Sequence, residues 1–143
     1  MFRMKMEWFL LALLGLFFFA GVTLIQKHLL NLGIHPVTFG VYLMGLGFAA
    51  FLITALITKQ RLTVPGNWWM FLVIIAVLAL AANLLATYSF KLAPNPGYAQ
   101  AIISASSVVV LVVSLFLFKS ELSLIKIIGV ILTIIGIFLI GFK

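Results

Sequence analysis

The sequence predicts an all-α integral membrane protein of five transmembrane helices, and three observations predict it. Of 143 residues, 66% are hydrophobic and 8% are charged, whereas a water-soluble domain averages about 45–50% apolar and about 25% charged residues. The apolar residues fall into five runs, each near the ~20 residues that a helix needs to cross ~30 Å of hydrocarbon. The separators between runs are short and rich in Gly, Pro, Lys and Asn. Backbone groups in lipid must be satisfied within their own segment, so the runs read as helices and not as open strands.

The first span, Trp8–Ile25, follows a basic start, MFRMKMEW. Its length and the lack of an A-x-A-like site after it favour a span over a cleaved leader. QKHLLNLGIHP connects it to the second span, Val37–Ile57, and TKQRLTVPGN leads to the third, Trp68–Phe90. KLAPNP leads to the fourth, Pro96–Phe118. There Asn95 suits an N-cap and Pro96 the first helical position, where a missing N–H costs nothing. KSE opens the fifth, Leu122–Phe142, with Ser120 as cap and Glu121 as a first-turn carboxylate facing the helix dipole. The Val/Ile-rich fifth run would favour a strand in water, but in a bilayer the helix wins.

Five spans place the termini on opposite sides of the membrane. Arg3, Lys5, Lys59, Arg61, Lys119 and Lys126 gather on the N-terminal side, against Lys27, Lys91 and Lys143 on the other. The excess of basic residues predicts a cytoplasmic N-terminus and an outside C-terminus in the inner (plasma) membrane. The six-to-three bias is small enough to permit dual insertion. Trp8, Trp68 and Trp69 fall at one interface, Tyr88 and Tyr98 at the other. The formal charge of +7 is scattered between apolar runs, which suits membrane-surface loops and not a phosphate-tracking patch for nucleic acid.

Composition excludes much chemistry. Cysteine and aspartate are absent and the only acids are Glu7 and Glu121. No disulfide, thiolate, carboxylate pair or oxygen cage for a hard cation can be assembled. Glu7, beside Trp8 at the membrane edge, reads as a first-turn carboxylate. His28 and His35 have no third ligand nearby and read as interfacial residues, so no metal site is expected. No nucleophile–base–acid arrangement or phosphate-cradling glycine loop is present, and the chain is expected to be neither an enzyme nor the holder of a cofactor.

The polar residues inside the spans obey helical spacing. Gln100, Ser104, Ser107 and Ser114 share one stripe of the fourth span, beside a small-residue stripe of Gly97, Ala101 and Ala105 that allows close backbone approach. Asn83 and Thr87 form an i, i+4 pair on the third, continued by Ala76 and Ala79. Gly40, Gly47 and Thr54 line the second with Met44, and Thr23 and Gln26 end the first. Together these faces predict a cavity walled by amides, hydroxyls, Met and aromatic rings, without charge. The bland alternative is that each Ser or Thr bonds its own i−4 carbonyl or joins helices, at ~0.6 kcal/mol on average. It weighs less on Gln100 and Asn83, because amides are costly to leave in hydrocarbon. Lys126, on the stripe of Gly129, Thr133 and Gly136, can snorkel to the surface.

The segment APNPGYAQAIISASSVVVLVVSLFLFKSELSLIKIIGVILTIIGIFLIG resembles the end of an EamA domain, the unit of the drug/metabolite transporter superfamily. The matching features are the small-residue start of the fourth helix, the Glu121–Ser123 entry, and Gly129 and Gly136 in an aliphatic helix. GVTLIQKHLLNLGIHP resembles the family's first helix and its connection. The resemblance covers nearly the whole chain as one five-helix unit. It implies half of a ten-helix inverted-repeat architecture, completed by a mate inserted upside down. That mate is a second copy or a related five-helix protein, with Gly129, Thr133 and Gly136 as candidate contacts. It further implies transport of a small molecule by alternating access. Substrate would bind near the midplane at Gln100, Ser104 and Ser107, with Asn83, Thr87, Tyr42 and Met44 close by.

Related four-helix exporters carry a proton-exchanging glutamate in helix 1. Counting back from Gly21, that position falls near Phe18 here, so a neutral or zwitterionic metabolite fits better than a cationic drug. Two other readings remain open. One is a flippase subunit for a lipid-linked sugar, using Lys27 and Lys91; the other is a non-transporting scaffold subunit.

Overall fold

Helix-ending signals divide the chain much as expected, with two differences that matter for the site. The computed structural model describes residues 2–118 and 124–141. All regular structure among the described residues is helical: α1 (Phe2–Asn31), α2 (Pro36–Ile57), a single 3₁₀ turn (Gly66–Trp68), α3 (Trp69–Leu92), α4 (Pro96–Ser104), α5 (Ser106–Phe118) and α6 (Leu124–Gly141). Leu10–Asn31, α2, α3 and Pro96–Ser114 are long and apolar enough to cross a membrane. The 18 residues of α6 extend about 27 Å at the helical rise of ~1.5 Å per residue. The expected roles of Ser120 and Glu121 and the ends of the fifth span lie outside the described residues, as do the side chains of Glu7, Trp8 and Lys126.

The first difference is the end of α1. The polarity of QKHLLN predicts a connection, yet α1 continues through Asn31. The stop is made by Gly33, whose φ of 97° is available to a residue without a Cβ. Gly33 N–H donates to Leu30 O at 3.2 Å and Ile34 N–H to Leu29 O at 3.3 Å, the paired bonds of a Schellman cap. Lys59 and Gln60 close α2 the same way, onto Leu56 O and Ala55 O. Gln26 and Lys27 are therefore helical residues with fixed directions.

The second difference is the fourth span, which is two helices meeting at Ala105. At that point the backbone tightens. Ala105 N–H donates to Ile102 O at 3.0 Å and Val108 N–H to Ala105 O at 2.9 Å, both three residues back. No proline causes the break. Ser104, Ser106 and Ser107 surround it, and serine hydroxyls compete with backbone N–H groups for nearby carbonyls, which bends helices. The start of α4 is as expected: Asn95 Oδ1 accepts from Gly97 N–H at 2.8 Å, with Pro96 at the first position.

The chain divides into two compact units, Met1–Leu92 and Ala93–Lys143. In the first, α3 packs against both α1 and α2. Its buried residues, Gln26, Leu30, Pro36, Thr87 and Phe90, cluster where α1 ends, α2 begins and α3 ends. Over the rest of the unit large apolar side chains such as Phe17, Phe18 and Phe51 face outward, as suits helices whose solvent is lipid. In the second unit α6 packs against α4 and α5.

Candidate functional site

The first unit is tied together at one end by side chains that cross between helices. Gln26 of α1 is 6% exposed and Thr87 of α3 is 4% exposed. The Gln26 amide Nε2 donates to Thr87 Oγ1 at 2.9 Å, and Thr87 Oγ1 donates to Asn83 O at 2.7 Å. One residue on, Lys27 Nζ donates to Phe90 O at 3.0 Å and Lys91 O at 3.3 Å. Those carbonyls belong to the last turn of α3, where a helix lacks internal donors and a cation is favoured by the dipole. His35 caps α2 by accepting from Val37 N–H at Nδ1, 3.3 Å. Its ring meets Tyr88 edge-on, with centroids 6.2 Å apart.

This tied end leads into a pocket of about 330 Å³ between α2 and α3. Val37, Gly40, Val41 and Met44 form one wall; Leu80, Asn83, Leu84 and Thr87 form the other. Every lining side chain is uncharged. The structure thus brings Met44, Asn83 and Thr87, three of the expected binding residues, to one place. Tyr42 is not among the lining and is 67% exposed. The pocket's polar side chains are largely engaged, because Asn83 Nδ2 donates to Ala79 O at 2.9 Å and Thr87 is bonded as above. Thr23 and Thr54 likewise donate to Phe19 O and Ala50 O on their own helices.

In the second unit the expected stripe survives the break at Ala105. Ser107 Oγ donates to Ser104 O at 2.7 Å and Ser104 Oγ to Gln100 O at 2.9 Å, so the three expected residues follow one another along α4 and into α5. Gln100 is half-buried and both serines are exposed. Ser107 also borders a groove of about 320 Å³ between α5 and α6, where it meets Val108 and Leu111 of α5 and Gly129, Val130 and Thr133 of α6. Thr133 donates to Gly129 O at 2.8 Å. A Cβ added at Gly129 or Gly136 would meet nothing within 4 Å, so this stripe of α6 has room beside it. Gly136 is half-buried and outside the groove lining.

Comparison with known families supplies what geometry alone cannot. The model of the EamA-like transporter family matches residues 6–142. The chain belongs to that family. No curated protein and no solved structure matches it. As an EamA-like protein it is a multi-pass membrane transporter of the drug/metabolite type. Among the described residues of this EamA-like chain, no three His, Asp or Glu side chains come together as a metal site. Sequence reasoning placed Gln26 at the end of a cavity-facing stripe and Lys27 in a loop, and so missed the bonds from α1 to α3. It also missed the break in the fourth span. The signal was present in Ser-Ala-Ser-Ser at 104–107, the densest group of backbone-competing hydroxyls in any span.

Proposed function

We propose that this EamA-like chain is half of a transporter for a small neutral or zwitterionic metabolite. Substrate binds near the midplane at Gln100, Ser104 and Ser107 of the second unit, and Asn83, Thr87, Met44 and Tyr42 are the candidate binding residues of the first. The observation that carries the reading is the local tightening of the fourth span at Ala105, with Ser104 and Ser107 on either side. Irregular backbone inside a membrane span marks the binding region in transporters of inverted-repeat design. The absence of any acid between Glu7 and Glu121 supports an uncharged or internally balanced substrate, since a bare cation there would have no counter-charge.

The other half is a second copy or a related five-helix unit, inserted upside down against Gly129, Thr133 and Gly136, and alternating access rocks one half against the other. The N-terminus is cytoplasmic in the plasma membrane, with the opposite insertion in the mate. Uptake into vesicles tests the site, using radiolabelled neutral and zwitterionic amino acids, amides and sugars beside a cationic dye. At least one uncharged or zwitterionic compound should be moved, and its uptake should fall more than tenfold in Gln100→Leu with Ser104→Ala. Movement of the dye alone, or full uptake by the double variant, overturns the proposal.

A further inference from the structure

We infer that the α2–α3 pocket seats one acyl chain of an anionic phospholipid, whose phosphate meets the Lys91 ammonium. Such a lipid is a bound neighbour of the first unit, separate from the transported metabolite, for which Gln100, Ser104 and Ser107 remain the proposed binding group. The lining follows helical spacing on both walls. Val37, Gly40, Val41 and Met44 stand at i, i+3, i+4 and i+7 of α2, and Leu80, Leu84 and Thr87 at i, i+4 and i+7 of α3. Each wall therefore runs about 10.5 Å along its helix. Four residues further, the α3 row reaches Lys91, which is exposed. From Leu80 to Lys91 is about 16.5 Å, close to half of the ~30 Å hydrocarbon core. That is the depth of one leaflet.

The mouth of the pocket is as apolar as its walls, since Val41 and Leu80 are exposed in a chain whose solvent is lipid. Asn83 and Thr87 already donate to Ala79 O and Asn83 O, so a hydrocarbon chain seats against them without breaking a bond. Gly40 keeps the space open, because a Cβ there would meet nothing within 4 Å. A pocket of about 330 Å³, about two turns long, is too small for a second helix ~10 Å across. Charge selects the head group. Lys27 Nζ lies 3.3 Å from Lys91 O, so two cationic side chains share the end of α3. The only acid in Met1–Leu92 is Glu7, which α1 places about 30 Å from Lys27, near the other membrane surface. The unit thus presents positive charge where the pocket's α3 wall reaches the surface, and basic groups between membrane helices bind anionic head groups.

The test places the full chain in phosphatidylcholine nanodiscs with a small fraction of phosphatidylglycerol that carries a photoreactive diazirine midway along one tail. After irradiation the labelled peptides are mapped. Val37–Met44 and Leu80–Thr87 should take more label per residue than Phe48 and Phe51, an exposed part of α2 that any surrounding lipid reaches. The same probe with a phosphatidylcholine head should label the pocket about fivefold less, and Lys91→Gln should erase that difference. Gly40→Leu fills the pocket and should remove its labelling while leaving Phe48 and Phe51 unchanged. Pocket labelling no greater than at Phe48 and Phe51, or equal labelling by both head groups, overturns the inference. Both readings use the unaltered chain, so they decide the matter whichever variant folds. Displacement by soluble glycerol phosphate would overturn it in favour of a simple anion site. Protection of the pocket from label, with Val41→Cys cross-linking two copies, would overturn it in favour of a contact between chains. No transported substrate enters these readouts, so failed vesicle uptake would fault the transport proposal and leave the lipid site standing.

Discussion

The short polar side chains of both units bond carbonyls of their own helix, and the first unit adds two long ones that cross between helices. In Met1–Leu92, Gln26 and Lys27 reach across from α1 to Thr87, Phe90 and Lys91 of α3. In Ala93–Lys143, Ser104, Ser107, Ser114 and Thr133 all turn back onto carbonyls three or four residues earlier. Reach explains the contrast. A hydroxyl on Cβ lies beside its own preceding turn, whereas a glutamine amide or lysine ammonium stands far enough out to meet a neighbour. The short side chains bend and mark their helix; the long ones fix which helix lies beside which. One unit is therefore cross-tied at one end, and the other carries a stripe of locally satisfied oxygens beside a break.

The largest way to break this contrast is Gln26→Glu. An ionised carboxylate at so buried a position should lower stability by several kcal/mol, roughly the effective penalty for burying an ion. The protonated acid can still donate to Thr87 whereas the carboxylate cannot, so stability should be highest in acid and fall as the side chain ionises. Thermal unfolding across pH checks this, and a pH-independent loss would mean that the amide is not buried as described.

Next in size is Lys27→Met, which removes the cation from the last carbonyls of α3. Because Lys27 is half-buried, the expected loss is about 1 kcal/mol, discounted from the range for charged hydrogen bonds. A smaller effect sharpens the comparison further. A double-mutant cycle of Gln26→Leu with Thr87→Val should give a coupling of about 0.6–1.7 kcal/mol, the range of hydrogen bonds between membrane helices. The corresponding cycle of Ser104→Ala with Ser107→Ala should give almost none, since Ser107 donates to a backbone carbonyl that the substitution leaves in place. The smallest effect belongs to Ser114→Ala, expected within about 0.5 kcal/mol of the parent.

The helical class, four of the five spans and the cap at Asn95–Pro96 are legible because they depend on composition, length and local turn chemistry. Asn83 and Thr87 share a face of α3 because i, i+4 spacing fixes a helix face regardless of neighbours, whereas their meeting with Met44 depends on how α2 packs beside α3. What could not be read was the destination of each polar atom. Gln26 and Ser104 look alike as polar residues in apolar runs, yet one bonds 61 residues away and the other four. That outcome depends on side-chain length and on which helix packs beside α1, and the pairing of α1 with α3 is tertiary information. The end of α1 lies beyond the point that polarity predicts, because the stop is Gly33 and its left-handed backbone.

Transport as proposed requires the chain to be one half of an inverted pair joined along α6. Gly129 and Gly136 are seven residues apart, about 10.5 Å along a helix, too far for a residue at one to be bridged to the other's level by a disulfide. Gly129→Cys and Gly136→Cys versions are therefore co-expressed in membranes and oxidised, and self-pairs are compared with mixed pairs. An inverted homodimer predicts the 129–136 bridge and no 129–129 or 136–136 bridge. Self-pairs without the mixed pair would mean that both copies point the same way, and the inverted architecture would be contradicted.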